Sequence, residues 1–366
     1  MKRLLFILAV LILPAALFAK GAIIPYAAGW ISQRPTSAEL DKMSHLMIFQ
    51  MFPDAGGNLI TNSMVPSWIQ TATNEAKAKG VKVSIALGGA SANYTQNFVT
   101  ATNSANIDRL VTNVRNFVNQ YGLDGVDIDW EFPKGETEWR QCMNLIEKLK
   151  AAMPDKRISI AVGGDSPVLS GKTQGQYNNH FVLGTTAAVN DVKTRIWKAD
   201  AVHLMTYDMG GVTQPVTWDT HASFNGSKSC IDRWAEFGQG QPGFSKEKLF
   251  MGCAFYANGS AGDNTTSLKQ KVDYCYDNGY GGVIIWELSQ DRGSGALLSA
   301  IYNANQAKGG YKPDGGGTPA VVNHTITMTH NGYGSVTSGG NPVSSGGNVS
   351  VANAGTVGFT FTPQSG

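Results

Sequence analysis

The chain has 366 residues, in which 29 Lys and Arg nearly cancel 27 Asp and Glu, leaving a formal charge of +2. No basic run follows Lys2 and Arg3, so the balance excludes the electrostatic footprint that nucleic acid or an anionic surface requires and favours a neutral partner. After the N-terminus, no stretch approaches the roughly 18 uninterrupted apolar residues of a membrane span.

In chain order, residues 1–19 combine Lys2 and Arg3, an apolar run from Leu4 to Leu13, and Leu17-Phe18-Ala19 as a small-residue cleavage site. This reads as a secretory signal peptide cut after Ala19, which implies a secreted, extracellular protein. Eight short apolar, β-branched runs then follow: Ala22–Ala27, His45–Phe52, Val81–Leu87, Gly125–Glu131, Arg157–Val162, Ala201–Tyr207, Leu249–Tyr256 and Gly282–Leu288. Helical patterns lie between several of them, at Ser67–Lys79, Ile107–Tyr121 and Glu138–Met153, each stopped by Gly or Pro. Strand and helix alternating over about 300 residues predict an α/β fold, a (β/α)8 barrel over 20–311. No G-x-G-x-x-G opens a helix after the first run, which argues against an open doubly wound sheet. Residues 312–320 form a Gly/Pro linker, and 321–366 read as a small Gly/Ser/Thr-rich all-β module, with strands near Thr325, Val349 and Gly358–Thr362. Because the sequence ends directly after the last of these, the module reads as partial. Cys142, Cys230, Cys253 and Cys275 show neither C-x-x-C spacing nor neighbouring histidine clusters, so no metal site or cofactor is expected. Export permits disulfides among them without requiring any, and Cys253 reads as a buried thiol in an apolar strand.

The most informative segment runs from Leu123 to Pro133, where Asp124, Asp127, Asp129 and Glu131 are interleaved with apolar residues. In a strand, Asp127, Asp129 and Glu131 share one face while Val126, Ile128 and Trp130 occupy the other. Carboxylates that crowded cannot all ionise cheaply, so at least one retains a proton near neutral pH, which is what an acid catalyst needs. Barrels of this type carry their chemistry at the C-terminal strand ends. Glu131 falls there on the fourth run, Tyr207 and Asp208 on the sixth, Tyr256 on the seventh and Trp286 near the end of the eighth.

The run Leu123–Phe132 resembles the D-x-x-D-x-D-x-E signature of glycoside hydrolase family 18, the chitinases and their relatives. Ala86-Leu87-Gly88-Gly89 is similar to the family's S-x-G-G on the third strand, Met205-Thr206-Tyr207-Asp208 to its M-x-Y-D on the sixth, and Trp286 to its eighth-strand tryptophan. The resemblance covers about residues 21–310 and implies a secreted chitinase of bacterial type, acting as a monomer. It departs from the pattern at Ala86, where the family has a serine that holds the buried aspartates; a water or another hydroxyl such as Ser84 is the expected substitute.

The roles that the resemblance implies are these. Glu131 protonates the glycosidic oxygen while the sugar's own 2-acetamido oxygen attacks the anomeric carbon, and water later reopens the oxazolinium-type intermediate with retention. Asp129 bonds the acetamide N–H, Asp127 shares a proton with Asp129, and Tyr207 donates to the acetamide oxygen. Trp286 is the floor beneath the cleaved sugar, with Asp208 and Met205 beside it. Tyr26, Trp30, Tyr94, Trp139, Trp218 and Tyr256 are candidate sugar platforms, with Tyr26 and Tyr256 ranked first. Asp124, of opposite parity, is expected to hold the strand start, and Gly88 and Gly89 to allow close backbone approach. His221 is either a groove-lining or a loop residue.

The interval between Tyr256 and Trp286 leaves no room for an α+β insertion, so an open cleft making internal cuts in chitin or chitooligosaccharides is expected. The rivals are an endo-β-N-acetylglucosaminidase on N-glycans and a non-hydrolytic chitin-binding lectin; lectin relatives typically lose the glutamate, and Glu131 is present.

Overall fold

The computed structural model describes residues 21–61, 64–91, 93–164, 186–208, 221–257 and 262–310, together with five strands between 323 and 363. One sheet contains β1 (Ala22–Ala28), β2 (His45–Pro53), β3 (Leu59–Ile60), β4 (Lys82–Gly88), β5 (Gly125–Asp129), β6 (Arg157–Gly163), β7 (Ala201–Met205), β8 (Leu249–Ala254) and β9 (Gly282–Trp286). Its order is β1-β9-β8-β7-β6-β5-β4-β2, and β1 also pairs with β2, so eight parallel strands close on themselves while β3 hangs antiparallel on β2. The predicted (β/α)8 barrel is therefore present.

The helices are α1 (Ser37–Leu40), α2 (Ile69–Ala78), α3 (Asn97–Ala101), α4 (Ile107–Gln120), α5 (Gly135–Ala152), α6 (Thr186–Arg195), α7 (Phe224–Gly238), α8 (Thr265–Asp277) and α9 (Ala296–Ala307). In α4 the apolar positions Leu110, Val114, Phe117 and Val118 recur at helical spacing and are buried, and Gly122, at φ 64°, ends the run in the left-handed conformation that glycine adopts without strain. Outward-facing Val126 and Ile128 of β5 join the core between strands and helices. A second, smaller cluster containing Ile24, Tyr26, Met47, Ala86, Phe250 and Ile284 fills the barrel interior.

Several expected strands overrun. The β5 ladder stops at Asp129, β7 at Met205, β8 at Ala254 and β9 at Trp286, so Glu131, Tyr207 and Tyr256 stand on the turns just past the strands. At β5 the Gly89 N–H donates to the Asp129 carbonyl at 2.7 Å and closes the ladder there. A Cβ at Gly88, φ 120°, would fall 2.1 Å from the same carbonyl oxygen, so only glycine allows this approach. Between Tyr256 and Trp286 the described residues form α8 and the start of β9, without an added sheet. All four cysteines are buried and none forms a disulfide, and Cys253 lies within β8. Among the described residues no helix is long and apolar enough to cross a membrane.

Residues 1–20, with the expected cleavage site, and the linker 312–320 lie outside the described residues. Two compact units divide the chain, the barrel belonging to the one that ends at Gly315. In the other, β10 (Asn323–Thr327) pairs antiparallel with β13 (Asn348–Ala352), and β11 (Gly334–Ser338) pairs with both β12 (Asn341–Pro342) and β14 (Phe359–Pro363).

The turn after β8 is anchored by a fully buried ion pair. Asp263 accepts from Lys271 Nζ at 2.6 Å and from the Ala254 N–H at 2.9 Å, and Lys271 also reaches the Gly252 carbonyl at 3.0 Å, both side chains being 0% exposed. Replacing Asp263 with Ala strands a buried ammonium, and we predict a loss of about 3–5 kcal/mol in urea unfolding. The double variant Asp263→Leu with Lys271→Met should recover most of it; equal losses in both variants would show that the charge is not what costs the stability.

Candidate active site

At the C-terminal mouth of the barrel a cavity of about 210 Å³ is lined by Asp129, Glu131, Met205, Tyr207, Asp208 and Trp286, with Tyr26, Trp30 and Tyr256 also on its wall. Residues spread over 260 positions in the sequence meet here because parallel strands bring every C-terminal end to one face.

The carboxylates of β5 occupy different levels. Asp127 is fully buried and does not line the cavity. It accepts from Ser159 Oγ at 2.5 Å and from the Tyr26 hydroxyl at 2.7 Å, and it lies 3.2 Å from His203 Nδ1. Burial alone would raise its pKa; the hydrogen bonds from His203, Ser159 and Tyr26 outweigh that and hold it below the ordinary value. Asp129, one layer higher, is pushed well above the usual carboxyl range by burial first and then by Glu131 and Asp127. Its Oδ1 is buried without a hydrogen-bond partner among the described residues. Glu131 is raised to about 7, chiefly by burial and further by Asp208, against a backbone hydrogen bond from Ala90. Burial and the neighbouring carboxyls thus favour the proton on Asp129 and Glu131, while the donors around Asp127 favour its anion.

The departure at Ala86 has a structural answer. In the sheet register Ala86 pairs with Asp127 on one side and Ser159 pairs with it on the other, so the hydroxyl absent from β4 is supplied at the same level by β6. Ser84, one of the hydroxyls considered for that role, instead meets His45 Nε2 at 2.8 Å.

Tyr207 is buried at the cavity wall, and burial, with Tyr256 and the nearby carboxyls, raises its pKa, so its hydroxyl remains a donor. Asp208 adopts φ 54°; its N–H donates to His221 Nδ1 at 2.8 Å, and its carboxylate accepts from the Tyr256 hydroxyl at 2.5 Å. His221 is thus a buried residue that orients Asp208 and does not line the cavity. Trp286 packs against Phe49 at 4.6 Å between centroids and against Trp30, which is 60% exposed.

Other candidates fall elsewhere. Tyr26 borders the cavity, but its hydroxyl is committed to Asp127, so it serves the carboxylate more than a sugar face. Trp139 is buried in the helix-side core and Tyr94 packs on Phe52 away from the cavity, so neither is a platform at this site; Trp218 lies outside the described residues. Asp124 accepts from the Val83 N–H at 2.9 Å just before β5. Ser159, His203 and Arg157 escaped sequence reasoning, although each is a polar residue at inward parity within an apolar strand. Gln50, also on the cavity wall, escaped as well.

A closed (β/α)8 barrel bearing an aligned carboxylate set and a tryptophan floor at its C-terminal mouth is the framework of a glycoside hydrolase. The chain belongs to the glycosyl hydrolases family 18, whose model matches residues 22–267. It is 28% identical over 180 residues to a probable endochitinase of Caenorhabditis elegans, covering 46% of this chain and 27% of that protein. It is 27% identical over 227 residues to probable chitinase 2 of Drosophila melanogaster, covering 55% and 41%. The chain thus spans under half the length of either relative. Its fold matches a chitinase from the chitin utilization locus of Flavobacterium johnsoniae, with TM-score 0.59 at 23% identity over 78% of this chain and 94% of that one. It also matches the Cycas revoluta chitinase solved with (GlcNAc)3, with TM-score 0.61 at 17% identity over 78% and 99%.

Two predictions follow from the geometry. Ser159→Ala removes a hydrogen bond to a buried anion, worth about 1.5–3 kcal/mol, and should lower kcat/KM about 10- to 100-fold. Adding Ala86→Ser to that variant should restore much of the loss, and a double variant no better than the single would show that the two positions are not equivalent. Because the pKa of Glu131 is raised to about 7 from 4.5 in the unfolded chain, the folded state binds more protons between those values, and its stability falls as pH rises through that window. Glu131→Gln should therefore raise Tm by several degrees at pH 8 and leave it nearly unchanged at pH 4.5, measured by calorimetry.

Proposed function

We propose that the protein is an exported, endo-acting chitinase that hydrolyses β-1,4 bonds between N-acetylglucosamine units by substrate-assisted catalysis. The observation that carries this reading is the unequal state of the three carboxyls lining the cavity. Glu131 holds a proton up to about pH 7 and is the acid. Asp129 is buried and its pKa is pushed well above the usual carboxyl range, and Asp208 is engaged by Tyr256 and His221, so neither is poised as a nucleophile. The attacking oxygen then has to come from the substrate, and a 2-acetamido group supplies it.

The sequence of events rests on this chain's own groups. The sugar lies on Trp286, and Glu131 gives its proton to the glycosidic oxygen as the acetamide carbonyl oxygen bonds to the anomeric carbon and the glycosidic bond breaks. Tyr207 donates to that carbonyl oxygen and fixes its approach, while the partnerless Asp129 Oδ1 accepts the acetamide N–H. Ionised Glu131 next takes a proton from water, which adds to the anomeric carbon and restores the acetamide, so the configuration is retained. The ionised Asp127 below opposes a second negative charge on Asp129 and so favours the form in which Asp129 shares its proton upward. Internal cutting is supported by the short segment between β8 and β9, whose described residues form α8 and add no further sheet. Relatives named as probable endochitinase and probable chitinase point to the same substrate class.

The test is digestion of chitin hexasaccharide and, separately, of a high-mannose glycopeptide, followed by product sizing and early anomer analysis. Short chitooligosaccharides appearing first as the β-anomer are expected, with kcat/KM falling as pH rises through about 7 when Glu131 loses its proton. Release of the glycan alone would reassign the substrate, and initial α-anomer would overturn the mechanism. Glu131→Gln should lose at least about 100-fold in kcat, the low end for a general acid.

A further inference from the structure

Below Asp127 the barrel interior holds a file of polar side chains that the proposed mechanism does not use. Arg157 opens β6 two residues before Ser159, so the two share the inward face on successive layers. Its guanidinium is buried, with the side chain only 2% exposed, and passes over the Phe250 ring at 5.4 Å from the centroid. One terminal nitrogen lies 2.9 Å from His203 Nε2.

These contacts assign the protons. A guanidinium only donates, so His203 Nε2 is the acceptor and Nδ1 carries the imidazole hydrogen. That hydrogen faces the Tyr26 oxygen at 2.9 Å and Asp127 Oδ1 at 3.2 Å. Tyr26 sends its own hydrogen to Asp127 Oδ2, and Ser159 sends its hydrogen to Oδ1, so each of these groups donates to Asp127, the surroundings that suit an anion. His203 is neutral in this arrangement and adds no charge.

We propose that Arg157, acting through His203, is the counter-ion that keeps Asp127 ionised, and that this pair thereby sets the pH range in which Asp129 and Glu131 hold their protons. Both are positioning residues, since neither lines the cavity. The groups that face the pair are Asp127 from β5, Tyr26 from β1, Ser159 from β6 and His45 from β2, with Asp200 just before β7. Burial lowers both His45 and His203, so neither is a cation at neutral pH. Burial also lowers Arg157, to about 10, against the field of Asp127, Tyr26 and Asp200, which leaves it charged throughout the working range.

The inference rests on Glu131 being the acid, and the experiment separates the two. Profiles of kcat/KM against pH on chitin hexasaccharide are recorded between pH 4 and 9 for wild type, Arg157→Met, Arg157→Lys and Glu131→Gln, with Tm at each pH. Removing a buried cation makes every ionisation above it harder. Arg157→Met should therefore move both the acidic limb, where Asp127 must ionise, and the basic limb, where Glu131 must stay protonated, upward by on the order of one pH unit. Arg157→Lys retains the charge and should retain the wild-type limbs whatever it does to Tm. If Arg157→Met does not fold, His203→Gln and His203→Leu carry the same comparison: the amide can accept from Arg157 and donate to Asp127, so the first keeps the limbs and the second shifts them upward. Unmoved limbs in a folded Arg157→Met or His203→Leu protein, or an equal shift in Arg157→Lys, would overturn the proposal. Full activity in Glu131→Gln would instead remove the acid assignment and leave the hydrogen-bond file as structure.

Discussion

Asp127 carries its carboxylate inside a closed barrel at 0% exposure, where three donors from β1, β6 and β7 stand in for hydration. An isolated carboxylate in such a medium would take up a proton sooner than remain charged. The contacts that prevent this cross the barrel: Tyr26 comes from β1, Ser159 from β6 and His203 from β7, all directed at one group on β5, with Arg157 of β6 behind His203. Small shifts in any of four strands therefore change the energy of one charge. That dependence explains why the interior around it is filled by rigid neighbours such as Phe250 and Ile284.

The same charge orders the residues above it. Once Asp127 is an anion, Asp129 cannot ionise beside it without a large penalty. Glu131 responds to its own burial and to Asp208, so it titrates near 7. Three carboxyls of similar chemistry on one strand face and the turn beyond it thus acquire different proton affinities from their depth together with their donors and charged neighbours. Asp208, on the opposite wall, is oriented by Tyr256 and His221 and adds a negative field that helps Glu131 keep its proton.

Much of this was legible in the sequence because parity and strand count are local properties. The alternation of Asp127, Asp129 and Glu131 with Val126, Ile128 and Trp130 separated the two faces, and eight apolar runs with intervening helices implied closure. Strand ends were less legible: Glu131, Tyr207 and Tyr256 continue an apolar pattern past the last ladder bond, and hydropathy does not record where pairing stops. Aromatic residues were the weakest guide. Trp139 and Trp286 have the same chemistry, yet one sits in the helix-side core and the other on the cavity floor, a difference set by tertiary packing. Arg157 and His203 were hidden for a related reason: a charged residue at a strand start ordinarily faces solvent, and only closure turns that position inward.

Ala86 shows what a linear motif leaves out. A signature read along β4 registers the missing hydroxyl as a loss, whereas the physical requirement is a donor at the level of Asp127 from any strand beside it. In a parallel barrel each residue has two lateral neighbours at its own level, here Ala86 and Ser159, and either can supply that donor. The serine on β6 carries a second consequence, because the inward parity that places Ser159 against Asp127 also places Arg157 one layer below it. One strand, through two positions of equal parity, thus brings both a donor to the anion and the cation that balances it. The layer around the barrel, more than the motif along a strand, is therefore the unit that meets the electrostatic requirement of this site.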